Sequence, residues 1–227
     1  MTTTGDTRAR ILSAATELFR RQGYAATGMK QIVATARAPY GSAYHFFPGG
    51  KAQLGEEVLR SSGAVYLALI GDLFGLGDGP GGDTGGDPGG DPGDGPGDAP
   101  GGVPAADRAA DPVRATREAF TGAAATLEAL DFADPCPVAT VALEVASTHE
   151  GLRLATSEIF TSWVDALAGY YAAHGITAAP RETAQSVIAL LEGAFMLGRA
   201  HRSPEPVLAA AAAAAAIVSA ALAAPGL

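Results

Sequence analysis

TGMKQIVATARAPYGSAYHFFPGGK, residues Thr27 to Lys51, is the stretch whose reading decides the fold. Met29, Ile32, Val33 and Ala36 recur at spacings of three and four, the period of one helical face. Thr27 stands where a hydroxyl can accept from a free amide of the first turn, so a helix is predicted over about 28–35 with Thr27 as its cap. Pro39 disfavours helical geometry at Ala38 and suits the opening turn of a following helix. Arg37, Ala38 and Pro39 therefore form a break, and 39–46 a second short helix ended by Pro48, Gly49 and Gly50. Two helices of about eight residues around a break of three have helix-turn-helix dimensions, in which the second helix enters the DNA major groove. On that helix Ala43 and Phe47 are expected to pack inward, while Tyr40, Gly41, Ser42, Tyr44 and His45 present small or hydrogen-bonding groups outward.

Working outward, Ile11, Leu12, Ala15, Leu18 and Phe19 line one face of an amphipathic helix over 7–21, and Gly23 sits where that helix would stop. After Lys51 the periodicity runs through Leu54, Val58, Leu59, Val65, Leu69 and Leu73, which reads as one long connecting helix. Residues 75–104 then change character, with 14 Gly, 6 Pro and 6 Asp in 30 positions. Such a segment has too little apolar surface to offset the entropy of ordering, and a disordered insertion over 75–111 is expected. The nonapeptide period that a calcium-binding repeat requires is missing from it. Helical patterns resume over about 112–130, 137–148, 151–174, 181–201 and 207–223. The organisation predicted is all-α: a three-helix DNA-binding unit over 1–50, a connecting helix over 51–74, the insertion, and a larger helical unit over 112–227 for effector binding and dimerisation.

Net charge is −9, which alone would argue against a nucleic-acid partner, but the charge is unevenly spread. Residues 1–60 hold eight Lys and Arg against four acids, and theirs is the positive segment. A single cysteine, Cys136, excludes an internal disulfide and a cysteine-built metal site, and suits a structural role in a reducing cytoplasm. The N-terminus has no signal-peptide core, and the alanines of 207–224 are weakly apolar for a membrane span, so a soluble cytoplasmic protein is expected. The Gly49-Gly50-Lys51 sequence lacks the upstream glycine and following hydroxyl of a phosphate-binding loop, because His45 and Ala52 occupy those places. Glu144, His149 and Glu192 belong to no motif that organises acid–base chemistry, so neither an enzyme nor a cofactor or metal is expected.

The run from Thr27 to Lys51, with ILSAATELFRRQGYAAT before it and APYGSAYHFFPGGKAQL within and after it, resembles the amino-terminal domain of TetR-family transcriptional regulators. CPVATVALEVA, Trp163 and LLEGAFMLGRAHRSPEP are similar to the LmrA/YxaF-like subgroup of that family. The resemblance implies a DNA-binding homodimer, a repressor released from a palindromic operator by a small-molecule effector; an effector-independent regulator with a closed cavity is the alternative. It implies DNA contacts from Thr27, Lys30, Arg37, Pro39, Tyr40, Gly41, Ser42, Tyr44, His45 and Lys51, with Tyr44 and Lys51 on the phosphate backbone. It also implies a dimer interface built from helices 181–201 and 207–223. Two positions depart from the family pattern: Arg37 replaces the turn glycine, and Ala43 replaces a bulkier apolar residue. In the carboxy-terminal unit Phe120, His149, Trp163, Tyr170, Glu192, Phe195, Met196 and Arg199 are the large or polar residues expected to line an effector pocket between helices.

Overall fold

A computed structural model describes residues 4–74, 110–133 and 136–225, and residues 75–109 of the expected 75–111 insertion lie outside the described residues. Among the described residues the chain forms helices joined by turns: α1 (Thr4–Gln22), α2 (Met29–Thr35), α3 (Tyr40–Phe46), α4 (Gly50–Leu73), α5 (Pro112–Ala129), α6 (Pro137–Val145), α7 (Glu150–Ala173), α8 (Pro180–His201) and α9 (Glu205–Ala223). The all-α expectation holds, with boundaries within a few residues of those the periodicity predicts.

Two apolar cores organise these helices. The first gathers Ile11, Ala15 and Phe19 of α1, Ile32 of α2, Phe47 after α3, and Leu54, Val58 and Leu59 of α4. Against them pack Val138, Val141 and Val145 of α6 and Leu152, Ile159 and Trp163 of α7. The second core joins Phe74 to α5, the later part of α7, α8 and α9 through Phe120, Leu127, Leu167, Tyr170, Tyr171, Phe195 and Val207. The amino-terminal core thus extends well past residue 50 into α4 and takes two body helices with it. Ile70 and Ile188 pack against both cores. Deep burial raises the Tyr170 phenol to about 12 and Tyr171 further still, and the Tyr171 hydroxyl is paired with Thr116 at 2.8 Å.

Helix ends follow local chemistry. Asp111, assigned by composition to the insertion, instead caps α5, its carboxylate accepting from the Val113 and Arg114 amides, and Pro112 fills the first helical position. Cys136 is buried and its sulfur accepts from Ala139 N at the start of α6, a structural role. α9 is long and apolar enough by composition to cross a membrane, yet Val207, Ala210, Ala211, Ala214, Ala215 and Val218 are buried inside the molecule. Its opposite face is largely exposed alanine, with Leu208 and Ile217 among it.

Candidate nucleic-acid interface

The break between α2 and α3 has the hydrogen bonding of a Schellman turn, with Ala38 N donating to Val33 O at 2.9 Å and Arg37 N to Ala34 O at 3.1 Å. That pattern demands a left-handed residue after the helix cap, and Arg37 supplies it at φ 50°. Outside glycine such a conformation costs about 1–2 kcal/mol. Arg37→Gly is therefore expected to raise the unfolding free energy by roughly 0.5–1 kcal/mol while weakening DNA binding through loss of a cation. Denaturant unfolding and a DNA titration on the same variant separate the two effects.

Pro39 caps α3 rather than opening it, and the helix begins one residue later than predicted. Ala43 and Phe47 are fully buried, as the inward face requires. Tyr40, Gly41, Tyr44 and His45 are exposed and Ser42 is half-buried, so a single turn and a half of helix carries all five. The Tyr40 and Tyr44 rings meet edge to face at 5.5 Å with their hydroxyls 3.3 Å apart. The Tyr44 ring thus leans on Tyr40, and the hydrogen bond between the two hydroxyls raises the Tyr44 phenol.

One assignment near this face is corrected. Thr27 does not cap α2: the cap residue is Gly28, with no side-chain bond. The Thr27 hydroxyl turns inward, donates to Gly23 O at 2.6 Å and accepts from Gln22 Nε2 at 3.1 Å, and the residue is buried, so it ties the α1–α2 turn together and has no hydroxyl to offer a phosphate. Lys51 lies over the Tyr24 ring at 4.2 Å and donates to Ala25 O at 3.3 Å. Burial lowers its ammonium pKa, opposed by the Glu144 carboxylate. Its first role is to fasten α4 to the same turn.

The positive charge of this unit is mostly committed. Arg8 pairs with Glu57, Arg10 with Asp6, Arg20 and Arg21 with Glu17, and Arg60 with Glu56 and Glu158. Burial pushes the Glu17 carboxyl up, but hydrogen bonds from Arg21 and Arg20 outweigh it and hold it below the usual carboxylate range. Lys30 and Arg37 are exposed and form no ion pair among the described residues. They flank α3 from α2 and from the turn, where phosphate contacts would orient a reading helix.

Residues 11–58 match the family of bacterial regulatory proteins described as tetR, and residues 112–213 match the carboxy-terminal domain of LmrA/YxaF-like transcriptional regulators. The chain belongs to the TetR family, in its LmrA/YxaF-like group. It is 29% identical to the uncharacterized HTH-type transcriptional regulator YxaF of Bacillus subtilis, over 92% of this chain and 93% of that one. It is 26% identical to the HTH-type transcriptional regulator LmrA of the same organism, over 90% and 92%. The fold is shared with a TetR regulatory protein from Rhodobacter sphaeroides at a TM-score of 0.71, with 19% identity, 93% of this chain and 98% of that chain covered. The protein is a DNA-binding transcriptional regulator of TetR type, not an enzyme.

In this TetR-family body, an inner cavity of about 220 Å³ lies between α4, α5, α7 and α8. Phe120, Trp163, Glu192 and Phe195 of the expected pocket set line it. An outer cleft of about 510 Å³ between α6, α7 and α8 receives Met196 and Arg199, and shares Glu192 and Phe195 with the inner one. Two expected residues line neither. His149 is the cap of α7, its Nδ1 accepting from Leu152 N at 3.3 Å. Tyr170 is buried in a ring cluster with Phe74, Tyr171 and His174. Local capping and core packing account for the polarity of the one and the size of the other. The sequence reading missed Tyr66, Leu69, Ile70, Leu73 and Phe74 of α4, which form one wall of the inner cavity. Their signal was available: the second half of α4 carries apolar residues on more than one face, more than a single buried stripe needs.

Proposed function

We propose that the protein acts in the cytoplasm as a homodimeric repressor that leaves a palindromic operator when a small apolar molecule occupies the inner cavity. The observation that carries this reading is the double duty of α4. Its first half, through Leu54, Val58 and Leu59, is part of the core that holds the reading unit, and its second half, from Tyr66 to Leu73, is a wall of the cavity. A ligand that fits better when α4 shifts would move the reading unit with it, by an amount set only by its differential affinity for the two positions. Nearly all of the lining is apolar, and a dry space of this size accepts a ring compound.

Dimerisation rests on α8 and α9. Met196, Leu197, Leu208 and Ile217 are large apolar side chains left exposed there among small alanines that allow close helix approach. Large apolar side chains left exposed on two neighbouring helices suit an interface between copies. Two copies would place two α3 helices about one DNA turn apart on half-sites. Within each copy Tyr40, Gly41, Ser42, Tyr44 and His45 form the reading face, steadied by Lys30, Arg37, Pro39 and Lys51. Tyr and Ser lack the bidentate geometry by which Arg selects guanine, so DNA shape carries part of the specificity.

Binding of the purified protein to its own promoter region, across a salt series and against competitor DNA, tests this reading. A preference for the promoter with affinity falling steeply in salt is expected; equal binding to competitor at every salt overturns it. Compounds that raise the melting temperature should also release the DNA. If stabilising compounds leave DNA binding unchanged, the effector-independent alternative is correct.

A further inference from the structure

The reading unit meets the body through an apolar core and through directed polar contacts at the turn between α1 and α2. Apolar burial is non-directional, so the core shared with α6 and α7 holds the unit against the body more than it fixes the unit's angle. A hydrogen bond, by contrast, weakens steeply once its angle falls below about 120°. Glu144 of α6 accepts from Ala25 N at 2.6 Å, Lys51 of α4 donates to Ala25 O at 3.3 Å, and Arg199 of α8 donates to Arg21 O at 3.3 Å. An acid and a base from different helices thus hold the N–H and the C=O of a single residue.

Glu144 is closely seated. Gly23, left-handed at φ 86°, leaves room for it, since a Cβ there would lie 1.9 Å from Glu144 Oε1. On the α4 side of the turn the Tyr24 ring rests on Gly55, where a Cβ would come within 2.8 Å of Cε2, and the Lys51 ammonium lies 4.2 Å over the same ring. Ala25 is exposed, so water would satisfy its amide in the absence of Glu144, and the backbone needs no carboxylate there. What the carboxylate adds is direction.

We propose that Glu144 is a positioning residue: seated on the α1–α2 turn, its carboxylate sets the angle at which the body presents α3, and with it the half-site spacing that a pair of copies accepts. The spacing part rests on the two-copy reading above. One base pair advances the groove by about 3.4 Å and turns it by about 35°. A head free to tilt through a comparable shift accepts a neighbouring spacing that a fixed head rejects.

Footprinting on the promoter region locates the operator, and duplexes carrying it with one base pair added or removed at its centre form a spacing series for anisotropy titration of the full-length protein. Wild type should bind the native spacing about tenfold more tightly than either neighbour. Glu144→Ala should bring that ratio close to unity while leaving the melting temperature and the affinity for competitor DNA unchanged. Glu144→Gln removes the same charge but keeps a carbonyl that accepts from Ala25 N, and should restore the wild-type ratio. Glu144→Asp keeps the charge but is one methylene too short for the bond, and should behave as the alanine variant does. A wild-type ratio in Glu144→Ala overturns the proposal. So does Glu144→Gln flattening the series as far as alanine does, since charge and not the hydrogen bond is then responsible. Equal weakening of every duplex by Glu144→Ala, competitor included, assigns the residue a merely structural role and overturns it too. A wild type indifferent to spacing overturns the two-copy reading, and the proposal with it.

Discussion

Trp163→Ala is expected to lower the unfolding free energy by about 3–5 kcal/mol and the melting temperature by about 10 °C or more. The indole is 2% exposed and joins the two halves of the molecule. It stacks on Tyr66 of α4 at 5.4 Å, meets Phe160 edge to face at 5.2 Å, and donates its N–H to Gly63 O at 3.0 Å inside α4. The approach is so close that a Cβ on Gly63 would lie 2.7 Å from Ile159 Cγ2, so the helices have no room to settle around a substitution. Truncation leaves a cavity continuous with the inner one, because Trp163 lines it. Trp163→Phe keeps most of the ring contact and loses the hydrogen bond, and should cost about 1–2 kcal/mol. Urea unfolding followed by circular dichroism measures both. A loss below about 1 kcal/mol for the alanine variant would contradict the burial seen here. Ligand titration on the same variants separates support of the fold from lining of the cavity: Trp163→Ala should gain affinity for larger rings even as it loses stability.

The elements most legible in the sequence are those whose apolar residues recur on one face. α1, α2 and α3 are of this kind, and so are the burial of Ala43 and Phe47 and the end of α1 at Gly23, which is left-handed at φ 86°. Thr27 was misassigned for a physical reason: a threonine beside a helix start can turn forward to an amide or back to a carbonyl. The Gly23 carbonyl behind it won. Lys51 likewise had a partner, the Tyr24 ring, that no spacing reveals. The inner cavity was half legible. Phe120, Trp163, Glu192 and Phe195 could be picked by type, but periodicity says that a residue is buried, not which neighbour is missing beside it. His149 and Tyr170 failed on that point, and the α4 wall was overlooked for the same reason.

Gly41→Glu is expected to abolish operator binding, by about 100-fold or more, without harming the fold. The position is exposed near the start of α3, and a Cβ there meets no atom within 4 Å. Replacing a helical glycine gains roughly 0.5–1 kcal/mol of helix propensity, and an acid in the first turn suits the helix dipole. The melting temperature should therefore hold or rise. In the groove the same carboxylate faces phosphates and base edges, where a like charge costs several kcal/mol. Lys30→Ala supplies the contrast. Its cation carries no sequence information, so its loss should weaken promoter and competitor alike and reduce the slope of affinity against salt by about one unit. Anisotropy titrations at several salt concentrations distinguish the two patterns. Were Gly41→Glu to bind the promoter as wild type does, α3 would not be the reading helix, and its exposed aromatic pair Tyr40 and Tyr44 would need another explanation.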